Sequence, residues 1–441
     1  MKKLLSIMGL MILAIILGVI YAEKKDQQSL FGKSAVTFWL ISDPHYIDES
    51  LTDSGAAFQA IKQTAAGKEL DYQKESLQAL IAKAQKEKPD MLIITGDLTL
   101  NGEKVSAEKL AELLKQLTEQ GIKVFVIPGN HDINDGWARK FVGEKQEATA
   151  AISTEDFQKI FADSGYKDSS NDPNSLSYAV SVNDTYNFLF LDTNIYPEDD
   201  QKLTRPSTGG TIREKTLTWM KNQLAERQAA KKKTLVFMHH NLYKHNELLS
   251  NGYVLNNADE VRNILAEYQV PVVFSGHIHA QDIMTETTAE QPITEIISSS
   301  FAIAPQSYGV VTLTKQAITY KKQHNDVDKW AQDKNILPEG MNYAKYMQKV
   351  LIEDGERLGY AQLASAGLTD PQQLKAGAAF VGKINERFFA GNDFSTDQEV
   401  AKLKQENGYQ IIAENSPFLK DYVDSIIQDK NEPDNQWQKH F

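Results

Sequence analysis

The sequence predicts an α/β fold: a mixed β-sheet sandwich flanked by helices, followed by a helical C-terminal domain. Three observations predict it. From Phe38 to about Gln323, apolar runs of strand length alternate with stretches whose apolar residues recur at helical spacing. The last runs of that region, Ile293–Ser299, Tyr308–Leu313 and Ile318–Lys322, come without helices between them, which suits a mixed sheet or two packed sheets. After about His324 strand-like runs largely vanish and helical periodicity takes over.

Taken in order, residues 1–25 stand apart from the fold. Lys2 and Lys3 open the chain, Leu4 to Ala22 is almost wholly apolar, and Glu23-Lys24-Lys25-Asp26 is a polar stop. At a 1.5 Å rise the apolar stretch spans roughly 28 Å, close to the ~30 Å hydrocarbon core of a bilayer. The segment reads as a secretory signal or an uncleaved membrane anchor. The remainder is therefore expected outside the cytoplasm, either extracellular or tethered to the membrane.

Residues 34–324 form the next unit. Thr37–Ser42, Met91–Thr95, Val124–Pro128, Tyr186–Leu191, Leu235–Met238 and Val270–Ser275 read as strands. Leu77, Leu80, Ile81 and Ala84 mark one helix, and Leu110, Leu113, Leu114 and Leu117 a second. Gly121 follows where a left-handed C-cap belongs. A third helix runs from about Arg213 to Gln228. Residues 325–441 make the helical C-terminal domain, with Tyr343, Tyr346, Met347 and Val350 on one periodic face and Leu374, Ala378, Val381 and Phe388 on another. Pro338, Pro371, Pro417 and Pro433 punctuate it. It is expected to pack and stabilise, to cap a substrate cleft, or to present a partner surface.

Composition narrows the chemistry. A chain of 441 residues with 41% hydrophobic content supports two domains with real cores. A net charge of −12 argues against a nucleic-acid polymer as partner. An acidic protein that takes an anionic phosphate needs a local positive centre, which metal ions supply. The chain has no cysteine, so disulfides, thiolate ligands and lipid attachment at cysteine are excluded, and metal ligands must come from His, Asp, Glu and Asn.

Five polar strings sit where strand-like runs end: Asp43-Pro44-His45, Gly96-Asp97, Gly129-Asn130-His131-Asp132, His239-His240 and Gly276-His277-Ile278-His279. Six of the nine histidines fall inside them. Open α/β sheets place their ligands beyond the carboxyl ends of the strands, so five such ends point to one metal site. On an extended stretch residues two apart share a face, which would aim Asp43 with His45 and His277 with His279 at the same place. Asp97, after a glycine at a sharp turn, is suited to bridge two cations. Asn130 offers a carbonyl oxygen to metal and an amide to phosphate. Asp132 is expected to orient His131, as carboxylates behind functional imidazoles do.

The pattern D-x-H, G-D, G-N-H-D, H, G-H-x-H over Phe38 to about Gln323 resembles the calcineurin-like metallophosphoesterases, and within them the bacterial class III cyclic nucleotide phosphodiesterases. The stretch from Gly209-Gly210-Thr211 to Trp219-Met220 is similar to one in that group. The resemblance implies a first metal held by Asp43, His45, Asp97 and His279, and a second by Asp97, Asn130, His239 and His277. It implies His131 as general acid with Asp132 behind it, and Asn130, His131 and His240 at the substrate. The family often has two prolines after the histidine pair; here Asn241-Leu242 follow, so His239 is taken as ligand because it comes directly off its strand, and His240 as support.

The expected cofactors are two divalent ions, manganese, iron or zinc, since hard and borderline ligands are mixed. The expected reaction is hydrolysis of a small phosphodiester, a cyclic nucleotide first, by in-line attack of hydroxide bridging the two ions. Alternatives are a phosphomonoesterase or nucleotidase, a lipid-linked phosphodiesterase at the envelope, and a scaffold that keeps only the fold.

Overall fold

The computed structural model describes residues 29–441 except 135, 168, 197–206, 287–290, 333 and 430–432. The signal or anchor segment lies outside the described residues. Among these, no helix is long and apolar enough to cross a membrane.

In chain order the strands are β1 (Val36–Ile41), β2 (Met91–Thr95), β3 (Lys123–Ile127), β4 (Arg139–Val142), β5 (Lys145–Ala148), β6 (Ser170–Asn171), β7 (Tyr178–Ser181), β8 (Tyr186–Leu191), β9 (Lys233–Met238), β10 (Val272–Ser275), β11 (Asp282–Thr285), β12 (Thr294–Ile297), β13 (Ser307–Leu313), β14 (Ala317–His324) and β15 (Gln436–His440). They build two sheets and a hairpin. One sheet has the order β15-β14-β13-β1-β2-β3, the other β11-β12-β10-β9-β8-β7-β6, and β4 pairs with β5. β1, β2 and β3 are parallel, as are β8, β9, β10 and β12. β13, β14 and β15 extend the first sheet antiparallel. The mixed sandwich predicted from the late strands is what forms.

Its centre is aromatic. Phe38 on β1 meets Phe188, Phe237 and Phe274 of the opposite sheet edge-on, with centroids 5.3–5.7 Å apart. Burying each such ring stabilises by roughly 1.5–3 kcal/mol. The central parallel strands are buried along nearly their whole length, which is why they read as continuous apolar runs rather than alternating ones. Helices Gln73–Glu87 and Lys104–Thr118 cover the first sheet with Leu77, Leu80 and Ile81 and with Leu110, Leu114 and Leu117. Helices Glu214–Ala229 and Ala258–Glu267 cover the second with Leu217, Met220, Val261 and Leu265.

The C-terminal region is mostly helical, with the long pair Tyr343–Ser365 and Pro371–Phe389 at its heart. Gly355 and Gly382 let that pair approach closely, since a Cβ on Gly355 would press on the Gly382 backbone. An all-helical ending is corrected in one respect: β15 returns to the first sheet and pairs with β14. The sequence Gln-Trp-Gln-Lys-His is too short and polar to announce a strand, and the exposed edge of β14 supplies the pairing. The region also shares cores with the sandwich. Ile278, Ala280 and Ile297 join Leu374, Val381 and Phe388 in one cluster; Ala79 and Ile303 join Tyr343, Met347 and Leu351 in another.

Candidate metal centre

All five strings meet at the carboxyl ends of β1, β2, β3, β9 and β10. The convergence does not come from strand alternation. Asp43, His45, Asp97, His277 and His279 all have left-handed backbones, with φ of 51°, 43°, 47°, 72° and 66°. Non-glycine residues avoid that region, at a cost of order 1–3 kcal/mol where it is enforced. The expectation that the paired residues share a face of an extended stretch is therefore corrected: each turns off its strand. Backbone bonds between the turns hold them, from Asp43 N to Gly96 O and from His45 N to Asp97 O, both 3.0 Å.

Two clusters result, and Asp97 belongs to both. In the first, His45 Nε2 and His279 Nε2 are 3.0 Å apart, Asp43 Oδ1 is 3.3 Å from His279 Nε2, and Asp97 Oδ2 is 3.6 Å from His45 Nε2. In the second, His239 Nε2 lies 3.4 Å from Asp97 Oδ2 and 3.0 Å from Asn130 Oδ1, and His277 completes the group. The residues fit divalent cations. Asp43 Oδ1 is buried without a hydrogen-bond partner, a state that costs free energy unless a cation meets it. The outer nitrogens are tied back: His239 Nδ1 to Thr95 O at 2.9 Å, and His277 Nε2 to Thr208 O and Gly252 O at 3.0 Å. Those carbonyls fix the tautomers, so His239 Nε2 and His277 Nδ1 present lone pairs inward.

Charge follows geometry. Burial alone would raise the Asp97 carboxyl, but His239, His131 and His45 outweigh it and hold it well below the usual carboxylate range. Burial pushes His277 down to about 4, keeping it neutral as a ligand must be. Glycines make the room. A Cβ on Gly129 would overlap the Asp97 backbone nitrogen and carboxylate, and one on Gly210 would overlap the His240 ring.

Two expectations are corrected. Asp132 does not stand behind His131. Its carboxylate accepts from Gly129 N, Leu98 N, Thr99 N and Thr99 Oγ1 at 2.8–3.0 Å, so it ties the β2 and β3 loops together. His131 Nδ1 instead faces Asn101 Oδ1 at 3.0 Å, and His131 N donates to Asp97 Oδ1 at 2.8 Å. Asn101 escaped notice because it lies four residues past Asp97 in a loop, where a carboxamide carries no periodic signal. The substrate contact assigned to His240 is also corrected. Its side chain is wholly buried, with Nδ1 2.7 Å from Thr193 Oγ1 and its ring 4.4 Å from that of His277. It backs the ligands rather than facing the cleft.

His245 stays out of the clusters. It is buried between Asp282, 3.0 Å away, and Glu295, 2.9 Å away. Glu295 also accepts from Leu242 N, Tyr243 N and Ser275 Oγ. This network pins the loop that follows His239-His240.

Two family models match this chain. The family model described as "Calcineurin-like phosphoesterase" matches residues 36–281. The model described as "C-terminal domain of cyclic nucleotide phosphodiesterase" matches residues 326–433. A Coxiella burnetii protein described as "Probable cyclic nucleotide phosphodiesterase" is 28% identical over 191 residues, 43% of this chain and 60% of that one. The chain thus spans about three-fifths of the length of that curated relative. Among solved structures, a dimetal phosphatase from Danio rerio superposes with a TM-score of 0.48 at 14% identity, covering 66% of this chain and 96% of that one. GAP50, the anchor in the inner membrane complex of Plasmodium, gives 0.38 at 13% identity over 66% of this chain and 85% of that one.

Proposed function

The chain belongs to the calcineurin-like phosphoesterases, and on that premise we propose that it is a two-metal phosphodiesterase acting on cyclic nucleotides. One observation carries the reading: two clusters of mostly buried side chains, each able to hold a metal ion, share the Asp97 carboxylate. The cyclic nucleotide is supported by the match of residues 326–433 and by the description of the Coxiella burnetii relative.

In this reading Asp43, His45, Asp97 and His279 hold one cation, and Asp97, Asn130, His239 and His277 the other. Manganese, iron or zinc would suit the mixed oxygen and nitrogen donors. When bound, the pair supplies Lewis acidity that acidifies water and neutralises phosphoryl oxygens. The chain's own residues do the rest. The turns at Asp43, Asp97 and His277 hold their side chains in place before substrate arrives. His131 donates a proton to the leaving oxygen. Burial pushes its imidazole down to about 4 in the free cleft, and an anionic phosphoryl group beside it favours the protonated form. Asn101 accepts from Nδ1 and so fixes the ring.

The N-terminal apolar segment supports export, with the catalytic region outside the cytoplasm, and the substrate is a small molecule rather than a nucleic-acid polymer. The same segment favours the second reading, a phosphomonoester, nucleotide or lipid-linked phosphodiester met at the envelope. A panel of monoesters and diesters assayed with manganese separates these. Faster turnover of cyclic nucleotides than of any monoester is expected; a monoester preference overturns the proposal.

A further inference from the structure

Beside the metal centre, on its His131 side, lies a cavity of about 440 Å³. Its floor includes Leu100, Asn101 and His131. Its lining also includes Lys68, five residues after the helix Ala56–Gln63, Trp137 in the turn before β4, and Arg139 and Phe141 on β4. Trp137 is 46% exposed, while the lining residues Leu100 and Phe141 are buried. The volume is that of a small-ligand pocket, and its make-up is the usual one: apolar surface with a few placed polar groups.

Lys68 is the unusual member. Among the described residues its ammonium makes no ion pair and no hydrogen bond with another side chain. It lines the same cavity as Asn101 and His131; burial lowers its ammonium, and the Asp97 and Asp43 carboxylates offset part of that. A cation held there without a partner, in a protein of net charge −12, is placed to meet an anion that comes with the ligand.

The position of His131 decides which half of a phosphodiester faces the cavity. A proton donor must be within hydrogen-bond reach of the oxygen it protonates. The alcohol being released therefore sits on the His131 side. In a nucleotide diester that alcohol belongs to the nucleoside. His239, His277 and His240, around the second cluster, are buried.

We propose that this cavity is the nucleoside subsite, with Trp137 as the face on which the base stacks and Lys68 as the cation that receives a phosphoryl oxygen. The proposal rests on the reading that the substrate is a nucleotide phosphodiester. Stacking on an aromatic face contributes about ten-fold in affinity and tolerates different bases. Adenine and guanine nucleotides would both be accepted.

Calorimetric titration of the full-length, metal-loaded protein with adenosine 5′-monophosphate and with inorganic phosphate tests this. The nucleotide is expected to bind at least about ten-fold tighter than phosphate. Trp137→Ala should collapse that advantage to about two-fold, and Trp137→Phe should keep most of it. Lys68→Met should weaken both ligands by about ten-fold, and Lys68→Arg should restore them. Equal binding of nucleotide and phosphate by the wild type, or an advantage that survives Trp137→Ala, overturns the proposal. Because binding is read directly, the result stands apart from substrate assays. If cyclic nucleotides are not hydrolysed, the functional reading fails while the subsite is still judged on the nucleotide's advantage.

Discussion

The Nδ1 atom of His131 lies 3.0 Å from Asn101 Oδ1, and the carboxylate of Asp132, the next residue, is turned away into the backbone of Leu98 and Thr99. The two neighbours thus have separate tasks. Removing the His131 ring should slow an alkyl diester by roughly a hundred- to ten-thousand-fold. A nitrophenyl diester, whose leaving group needs little protonation, should suffer less. Asn101→Ala should follow the same pattern more weakly, with metal content unchanged in both variants. Equal slowing of the two esters, or loss of metal, would remove His131 from the proton-donor role.

Asp132→Ala should instead act on stability. Four donors would lose a buried acceptor, at about 1–3 kcal/mol for each group left without one. Thermal unfolding of the variant should start well below the wild type, whereas Asn101→Ala should melt close to it.

Asp97→Ala should abolish metal binding and activity together, since it is common to both clusters. Elemental analysis of the wild type should find two divalent ions per chain, and chelators should inactivate it. Chelator-resistant activity in a metal-free protein would refute the two-metal reading.

Gly129→Ala places a methyl group against Asp97. Metal content should fall by more than half although no ligand is changed. A fully loaded Gly129→Ala protein would mean the loop can move aside and that Asp97 is less tightly held than its contacts imply.

Much of this was legible in the strings themselves. The alternation of apolar runs and amphipathic helices carried the sandwich, because buried parallel strands leave continuous apolar signatures. The residues of the two clusters were legible because five strand-like runs each end on a string of carboxylate, imidazole or carboxamide side chains. What escaped notice depends on distant pairing. β15 is a strand only because β14 has a free edge. The left-handed turns at Asp43 and His277 are imposed by bonds to other loops, and no local propensity reports them. Asn101, Thr193 and the carbonyls of Thr208 and Gly252 act through contacts between segments far apart in sequence, and Lys68 faces the cavity from a loop with no motif.

His245 should make stability pH-dependent. Burial alone would lower its pKa, but Asp282 and Glu295 outweigh it and raise it to about 10. With an unfolded value near 6.5, the folded protein holds the extra proton. Its contribution is full below about pH 6.5, shrinks as pH rises, and is gone above about 10. His245→Gln should cost about 3 kcal/mol below neutrality, and the gap from wild type should narrow between pH 7 and 10. A gap that widens with pH would contradict the charged pair.

Export is tested apart from the chemistry. Fractionation with an antibody should find the chain in the membrane or outside the cell. Full-length protein confined to the cytosol would refute the reading of residues 1–25.

The last strand has a consequence for how the molecule comes apart. Because β15 is hydrogen-bonded into the sheet that contains β1, the first and last strands of the described residues belong to a single element, with the C-terminal helices enclosed between them in sequence. Ile278, wedged between two ligands, is buried in the helices' own core. Neither part can melt while leaving the other's packing intact. Calorimetry should therefore record one cooperative transition rather than two. Cutting the chain near residue 325 should yield not a smaller active enzyme but a protein with an open sheet edge, prone to associate through it.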